Sequence, residues 1–179
     1  MKSAAPPELW TIGHSTRSLD ELVELLRAHR VELVADVRTV PRSRTNPQFN
    51  LDVLPDSLAL ARIGYQHLAA LGGLRHARKD SKSLGWENAS FRGFADYMQT
   101  PEFHDGLAEL EALAAKRRVA IMCAEAVPWR CHRRMIADAW VARGGVVHHI
   151  MSVARADLHT LTPFARVRGG HVTYPASHD

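Results

Sequence analysis

Cysteine, aromatic side chains and long hydrophobic runs are all scarce in this sequence, and each scarcity excludes a class of protein. Two cysteines among 179 residues are too few for a disulfide framework and favour a reducing, cytoplasmic location. Aromatic residues make up 7%, which disfavours a single-strand binder that stacks bases on aromatic rings. The longest apolar stretches, such as Val119–Cys123, fall far short of the roughly 18 residues that span a bilayer. The N-terminus also lacks the apolar segment of a secretory signal, so we expect no membrane contact.

The overall amino-acid composition is that of an ordinary globular protein. Hydrophobic residues make up 46% and charged residues 23%, which excludes both disorder and fibrous repeats. A chain of 179 residues has the length of about one domain. We therefore expect a single α/β domain over residues 1–179, with residues 151–179 as a C-terminal covering extension.

Strand-like and helix-like segments alternate along the chain, which is typical of a mostly parallel sheet with crossover helices. Capping patterns predict helix starts at Ser18 and Thr100, and Pro128 is expected to open a further helix. The sequence predicts a three-layer domain with about five mostly parallel strands and helices on both faces, or alternatively a partial β/α barrel. The predicted strands are Leu9–Ile12, Leu33–Val37, Ile63–Leu68, Val119–Cys123 and Val146–Ile150.

Positive charge is concentrated in the middle of the chain. The segment from Arg38 to Lys82 carries eight basic and three acidic residues, whereas the rest is slightly acidic. Such a segment favours an anionic ligand, either a phosphorylated small molecule or nucleic acid. A basic surface that faces only solvent would have the same composition, so this alternative stays open.

Titratable and polar side chains stand at the end of the predicted strands or just after them. Because parallel strands end at the same edge of a sheet, we expect these side chains to form one ligand site. The candidates are His14, Ser15, Asp36, Arg38, Arg42, Arg44, Asn46, Tyr65, Cys123, Glu125, Cys131, His132 and Arg133.

The residue types suggest catalytic roles for five of these candidates. Glu125 or His14 could act as general acid or base, and Cys131 could act as a nucleophile. We expect Cys131 to be more reactive than Cys123, because the helix predicted after Pro128 would stabilise its thiolate. Asp36 and Cys123 complete the candidate catalytic set.

The other candidates would bind substrate. Three arginines, Arg38, Arg42 and Arg133, would hold the anionic part of the ligand. The remaining candidate binding residues are Ser15, Arg44, Asn46, Tyr65 and His132.

The residue spacing can be compared with that of three known kinds of site: cysteine phosphatase loops, zinc sites and glycine-rich phosphate loops. A cysteine phosphatase loop needs five residues between cysteine and arginine, whereas six separate Cys123 from Arg130. Cys123 and Cys131 are eight positions apart, unlike the close pairs of structural zinc sites. A catalytic zinc held by both cysteines and a distant histidine stays open. No glycine-rich dinucleotide or phosphate loop occurs, so the sequence gives no strong metal or dinucleotide signature and the cofactor is unknown.

Seven segments together resemble the bacterial domain-of-unknown-function 488 family. They are TIGHSTRS (Thr11–Ser18), DVR (Asp36–Arg38), PRSRTNPQFN (Pro41–Asn50), LGGLR (Leu71–Arg75), FRGFADYM (Phe91–Met98), MCAEAVPWRCHR (Met122–Arg133) and LTPFARV (Leu161–Val167). The resemblance covers nearly the whole chain. It implies a stand-alone, soluble bacterial protein, and it assigns neither an activity nor catalytic residues.

Three functions follow from these observations. The first hypothesis is an enzyme, a hydrolase or transferase, that acts on a phosphorylated or nucleotide-like substrate. The second is an accessory protein that binds nucleic acid through the Arg38–Lys82 segment. The third is a regulatory protein in which Cys123 and Cys131 form a disulfide. The oligomeric state is not encoded in any recognisable pattern.

Overall fold

The fold is built on a mixed sheet with helices on both sides, seen in a computed structural model that describes residues 4–177. The outermost residues of the predicted domain, 1–3 and 178–179, lie outside the described residues. The strands of the described part are β1 (Leu9–Gly13), β2 (Leu33–Asp36), β3 (Gly64–His67), β4 (Val119–Cys123), β5 (Val147–Ser152), β6 (Arg155–Leu158), β7 (Arg166–Arg168) and β8 (His171–Thr173). Its α-helices are α1 (Leu19–Ala28), α2 (Leu54–Leu60), α3 (Ala89–Tyr97), α4 (Pro101–Lys116) and α5 (Arg133–Ala142).

The sheet confirms the predicted α/β class. Its six strands follow the order β3–β2–β4–β1–β5–β6, and the first five are parallel. The strands β7 and β8 form a separate antiparallel hairpin. No helix among residues 4–177 has the length and apolar character needed to cross a membrane.

Alternating side chains of the strands supply two cores, one on each face of the sheet. On one face, Ile12 of β1 packs in a cluster with Leu22 of α1 and Leu58 of α2. On the other face, Leu9 of β1 belongs to a cluster with side chains of α3, α4 and α5, including Phe103. This period of two along β1 is what a strand buried on both faces requires. The three layers predicted from the sequence are therefore present.

The predicted helix starts at Ser18 and Thr100 are confirmed. The Glu21 N–H donates to Ser18 Oγ and the Ser18 N–H donates to Glu21 Oε1, both at 3.1 Å, which is a complete capping box. Thr100 Oγ1 accepts from the Phe103 N–H at 3.4 Å, and Pro101 takes the first helical position.

Two parts of the chain differ from the sequence prediction. Pro128 does not open a long helix: Pro128–Arg130 forms one 3-10 turn, Cys131 is extended with φ −136° and ψ 148°, and α5 begins at Arg133. The chain after β5 also does more than cover the domain, because β6 extends the main sheet as an antiparallel edge strand. The strands β6, β7 and β8 were missed because each is only three or four residues long and mostly exposed.

The chain connections create a crevice at one edge of the sheet. The strands β1 and β2 lead into α1 and α2 on one face, whereas β4, which lies between them, leads into α5 on the opposite face. Loops that leave neighbouring strands toward opposite faces open a space between them, and ligands of open α/β sheets bind at such switch points.

Candidate functional site

An open cleft of about 510 Å³ lies at this switch point, beyond the carboxyl ends of β1, β2 and β4. Ten of its fourteen lining residues have hydroxyl, amide, imidazole or charged side chains, and apolar atoms supply somewhat more of the exposed lining surface than polar atoms do. The lining comprises residues 14–16, 38–40, 42–43, 45–46, 124–126 and Leu74.

A second cavity of about 630 Å³ lies away from the strand ends, beside α4, α5 and the β7–β8 hairpin. Its lining includes Arg143 and Glu111, which form an ion pair with each other. Because these charges already compensate each other and no sequence-predicted site residue lines the cavity, we take the strand-end cleft as the candidate site.

A fixed arginine forms the floor of the cleft. Arg38 Nε donates to Asp36 Oδ1 at 2.9 Å, and Arg38 Nη2 donates to Asp36 Oδ2 at 2.7 Å, a bidentate pair. Arg38 Nη2 also donates to the Phe49 carbonyl at 2.7 Å. The Tyr65 hydroxyl donates to Asp36 Oδ2, and burial together with this carboxylate raises the pKa of Tyr65. Asp36 and Tyr65 thus hold the guanidinium in one orientation from below.

His14 lies beside this arginine as a neutral ring. Its Nδ1 lies 2.8 Å from the Ser15 carbonyl, which can only accept, so Nδ1 carries the proton and Nε2 accepts from Arg38 Nη1 at 3.4 Å. Burial lowers the pKa of His14, and the nearby Arg38 charge lowers it further against the effect of the Ser15 carbonyl. The ring also packs on Phe49, with centroids 4.5 Å apart. Both ring nitrogens are therefore occupied by protein partners.

The loop after β4 crosses directly over the end of β1. The N–H groups of His14 and Ser15 donate to the carbonyls of Cys123 and Ala124 at 2.9 and 3.0 Å. A Cβ on Gly13 would lie 1.6 Å from the Glu125 carbonyl oxygen, so only glycine permits this approach. Ser15 follows with a φ of 51°, a left-handed conformation that is uncommon for a residue with a side chain. This crossing brings the exposed Glu125 to the rim of the cleft.

The basic loop after β2 forms a second wall and is braced from within. The Ser43 N–H donates to Asn50 Oδ1 at 2.6 Å, and Ser43 Oγ accepts from the Asn46 N–H at 3.0 Å. The bracing holds the exposed Arg42 on the cleft lining. Arg44 belongs to the same loop and is equally exposed, but it is not part of the lining.

The two cysteines lie on the other side of the β4 loop, away from the cleft. Cys123 is 3% exposed and Cys131 5%, and both are free thiols. The Cys131 thiol donates to Cys123 Sγ at 2.7 Å. The Arg133 N–H donates to Cys131 Sγ at 3.4 Å, so Cys131 precedes α5 instead of lying in its first turn.

His132 and Arg133 are also held by protein groups outside the cleft lining. His132 Nε2 donates to the carbonyls of Val37 at 2.9 Å and Leu71 at 3.0 Å, and burial lowers the pKa of His132 to about 4. A Cβ on Gly73 would lie 2.5 Å from His132 Nδ1, which explains why glycine is needed in the LGGLR segment. The buried Arg133 donates from Nη2 to the Ala126 carbonyl at 3.1 Å.

The thirteen sequence-predicted residues thus divide into four groups. Those that line the cleft are His14, Ser15, Arg38, Arg42, Asn46 and Glu125. Asp36 and Tyr65 lie beneath Arg38, and Arg44 lies outside. Beyond the β4 loop lie Cys123, Cys131, His132 and Arg133.

Sequence reasoning missed the three threonines of the lining, Thr16, Thr39 and Thr45. They could have been predicted from their positions in the sequence, because each lies within two residues of His14 or of an arginine of the basic segment. Thr39 Oγ1 also accepts from the Leu74 N–H at 2.9 Å, which ties the cleft wall to the LGGLR segment.

A buried hydrogen-bond chain on the sheet was also missed. His149 Nδ1 lies 2.6 Å from Thr11 Oγ1, and His149 Nε2 lies 2.8 Å from His159 Nδ1. His159 Nε2 then reaches Asp138 Oδ1 at 2.7 Å, and the Tyr174 hydroxyl donates to Asp138 Oδ2 at 2.6 Å. Burial lowers the pKa of His149 to about 3, so its ring is neutral. No sequence pattern connects these residues, because α5 and the chain after β5 meet only in the folded protein.

The structure offers no support for the zinc alternative. Among residues 4–177, no group of three or more His, Cys, Asp and Glu side chains is arranged to hold a metal ion. His132, the histidine next to the cysteines, donates from Nε2 to two carbonyls, and its Nδ1 lies 3.5 Å from Cys131 Sγ.

Fold and site together define a three-layer α/β protein with a ligand-sized cleft at the switch point of a parallel sheet, lined by both charged and hydroxyl side chains. Residues 18–140 match the model of the family described as "Domain of unknown function DUF488", and the chain belongs to this family. The resemblance to this family is thereby confirmed over residues 18–140, which contain five of the seven motifs; TIGHSTRS and LTPFARV lie at or beyond the ends of the matched range. No curated protein and no solved structure matches the chain.

Proposed function

We propose that this protein is an enzyme, a hydrolase or transferase, that binds a small phosphorylated or nucleotide-like substrate in the strand-end cleft. The observation that carries the proposal is the arrangement of Arg38 and Arg42 with hydroxyl and amide side chains around a cleft at the switch point. A volume of about 510 Å³ suits a ligand of this size, since small-molecule sites occupy roughly 300–1,000 Å³.

The two arginines contribute differently to anion binding. Arg38 has five N–H donors, of which three bond Asp36 and the Phe49 carbonyl and one faces His14, which leaves one N–H of Nη1 for a ligand. Its charge is balanced by Asp36, so it orients a ligand more than it attracts one. Arg42 is exposed at the wall and supplies attraction at a distance.

Among the candidate acid and base groups, Glu125 is the best placed. It is exposed at the rim, whereas both nitrogens of His14 are occupied and both cysteines are buried. We assign Glu125 the role of general base that activates water or a substrate hydroxyl. A positioned base of this kind contributes on the order of 100-fold or more to the rate.

The contacts of the basic segment favour a small ligand over nucleic acid. Arg38 is paired with Asp36, Arg78 is paired with Asp80 at 3.1 Å, and the Arg75 guanidinium lies 3.6 Å above the Tyr97 ring. A protein that follows a phosphate backbone needs a row of free cations, because each phosphate contact adds about one unit to the salt dependence of binding. Three of the eight basic side chains of the Arg38–Lys82 segment are thus already engaged within the protein.

Isothermal titration calorimetry with nucleotides, sugar phosphates and inorganic phosphate tests the proposal. We expect binding by wild type, a loss of about tenfold or more in affinity for Arg42→Ala, and nearly unchanged affinity for Arg44→Ala. Arg44→Ala is the matched control, because it removes the same charge from the same loop but outside the lining.

Glu125→Gln should retain ligand affinity and lose turnover once a substrate is found. Equal affinities of the Arg42 and Arg44 variants would contradict the proposed site. Submicromolar oligonucleotide binding at physiological salt that both variants weaken would instead support the nucleic-acid hypothesis.

A further inference from the structure

We propose that Cys123 and Cys131 form a peroxide-reactive dithiol beneath the cleft, in which Cys123 is the attacking thiolate, Cys131 the resolving thiol and Arg133 the counter-ion. This site is separate from the proposed substrate cleft and does not depend on the proposed function.

The first observation is the contact between the two thiols. Cys123 ends β4 and Cys131 precedes α5, and the loop between them folds back so that the Cys131 thiol donates to Cys123 Sγ at 2.7 Å. The Arg133 N–H donates to Cys131 Sγ at 3.4 Å, which fixes the second sulfur from the helix side. The two sulfurs are therefore held in place for reaction with each other.

The second observation is a buried cation without a matching anion. Arg133 is 1% exposed, and its Nη2 bonds only the neutral Ala126 carbonyl. Its Nε and Nη1 make no hydrogen bond within residues 4–177. A buried guanidinium is costly unless an anion and hydrogen bonds compensate it. The backbone of Arg133 contacts the thiol pair through Cys131 Sγ, so a thiolate in this pair, at Cys123, would provide that anion.

The acidity of the two thiols supports this assignment. Burial raises the pKa of Cys123, but the hydrogen bond from Cys131 and the charge of Arg133 outweigh it and bring the pKa below its ordinary value. Burial and the neighbouring Cys123 raise the pKa of Cys131. The order is the reverse of the one expected from the sequence, because Cys131 donates its proton toward Cys123 and lies outside the helix.

The oxidation needs only hydrogen peroxide as co-reactant. The Cys123 thiolate attacks one peroxide oxygen, the O–O bond breaks, and the departing hydroxide takes a proton to become water, which leaves a sulfenic acid on Cys123. Cys131 then loses its proton and attacks the Cys123 sulfur. The S–S bond forms, the S–O bond breaks, and the second hydroxide leaves as water. Two thiols and one peroxide thus yield one disulfide and two waters.

The disulfide would close the loop that carries Glu125. Residues 124–130 lie between the two cysteines, so oxidation would tie both ends of this segment together.

Mass spectrometry of peroxide-treated protein under non-reducing conditions tests the proposal. We expect wild type to lose two hydrogens and to yield a cross-linked peptide that contains both cysteines. Cys131→Ser should stop at the sulfenic acid, which dimedone labels at Cys123. Cys123→Ser should show neither product. Dimedone labelling at Cys131, or no mass loss in wild type, would overturn the proposal.

The role of Arg133 is tested by the rate of peroxide reaction. Arg133→Gln should slow it by about tenfold or more, because the thiolate fraction falls. Arg134→Gln is the matched control, since Arg134 lies over the Trp86 ring, 5.4 Å from its centroid. Thiolate absorbance at 240 nm keeps the proposal testable if Arg133→Gln does not fold. Wild type should develop this absorbance at a lower pH than Cys123→Ser, and coincident titrations would contradict the more acidic Cys123.

Discussion

The two sides of the loop after β4 differ in whether their charged side chains are exposed or paired. On the cleft side, Glu125 and Arg42 are exposed to water, and the buried cation of the lining, Arg38, has a carboxylate partner. On the buried side, Arg133 has no carboxylate partner among the described residues, and a pair of thiols lies next to it. One continuous segment, Met122–Arg133, supplies both environments. The comparison shows that a dense cluster of reactive residue types in a sequence need not be one site.

The largest expected loss of stability comes from a substitution at Gly13, where the loop after β4 lies on β1 and separates the cleft from the cysteines. Gly13→Ala places a Cβ 1.6 Å from the Glu125 carbonyl oxygen, so the loop must shift. We expect a loss of about 3 kcal/mol or more in the free energy of unfolding, together with loss of ligand binding at the cleft. Urea denaturation and calorimetry measure both.

Gly169→Ala is the control for this change. Its added methyl group would meet nothing within 4 Å, and only the left-handed φ of +57° opposes it, which costs about 1 kcal/mol. Equal destabilisation by the two substitutions would show that the loop does not lie on β1 as described.

The next largest effect is a loss of stability at low pH, which comes from two buried histidines. The pKa of His132 is lowered to about 4 and that of His149 to about 3, whereas an unfolded histidine titrates near 6.5. The unfolded state therefore binds protons first as the pH falls. Stability from these two groups is complete above about pH 6.5 and is lost progressively below it, by about 2 kcal/mol per histidine at pH 5.

Denaturation midpoints at pH 7.5 and pH 5 measure this loss. His149→Gln, which keeps a donor for His159 but cannot take up a proton, should reduce the pH dependence. A midpoint that is independent of pH in wild type would contradict the neutral, buried state of both rings.

The smallest effect concerns the support beneath the cleft floor. Tyr65→Phe removes the hydroxyl that donates to Asp36, which should lower the unfolding free energy by about 1 kcal/mol and weaken ligand binding a few-fold. Tyr97→Phe is the matched control, because its hydroxyl donates to the Ala70 carbonyl at 2.6 Å, away from the cleft lining. The control should lose similar stability and keep full affinity. Equal affinities of the two variants would show that Tyr65 does not position Arg38.

Much of the fold could be predicted from local patterns. The capping box at Ser18 and the Thr100-Pro101 start of α4 are interactions between residues a few positions apart, so the sequence alone indicates them. The strands β1, β2 and β4 were recognisable as short apolar runs, whereas β3 and β5 contain polar residues and were predicted from the apolar residues beside them. The strands β6, β7 and β8 were not, because their short, exposed sequences become strands only through pairing with distant partners.

The candidate site was likewise predictable in part from local sequence and in part only from tertiary contacts. The sequence by itself determined that polar groups follow the strands, because the order of strands and helices sends those residues to one edge of a parallel sheet. Only the tertiary structure decided which of them face the cleft. Gly13 lets the β4 loop lie on β1, and that crossing leaves Glu125 outside and seals Cys123, Cys131 and Arg133 inside. Such a sealing depends on contacts between segments far apart in the chain, which residue type and spacing do not specify.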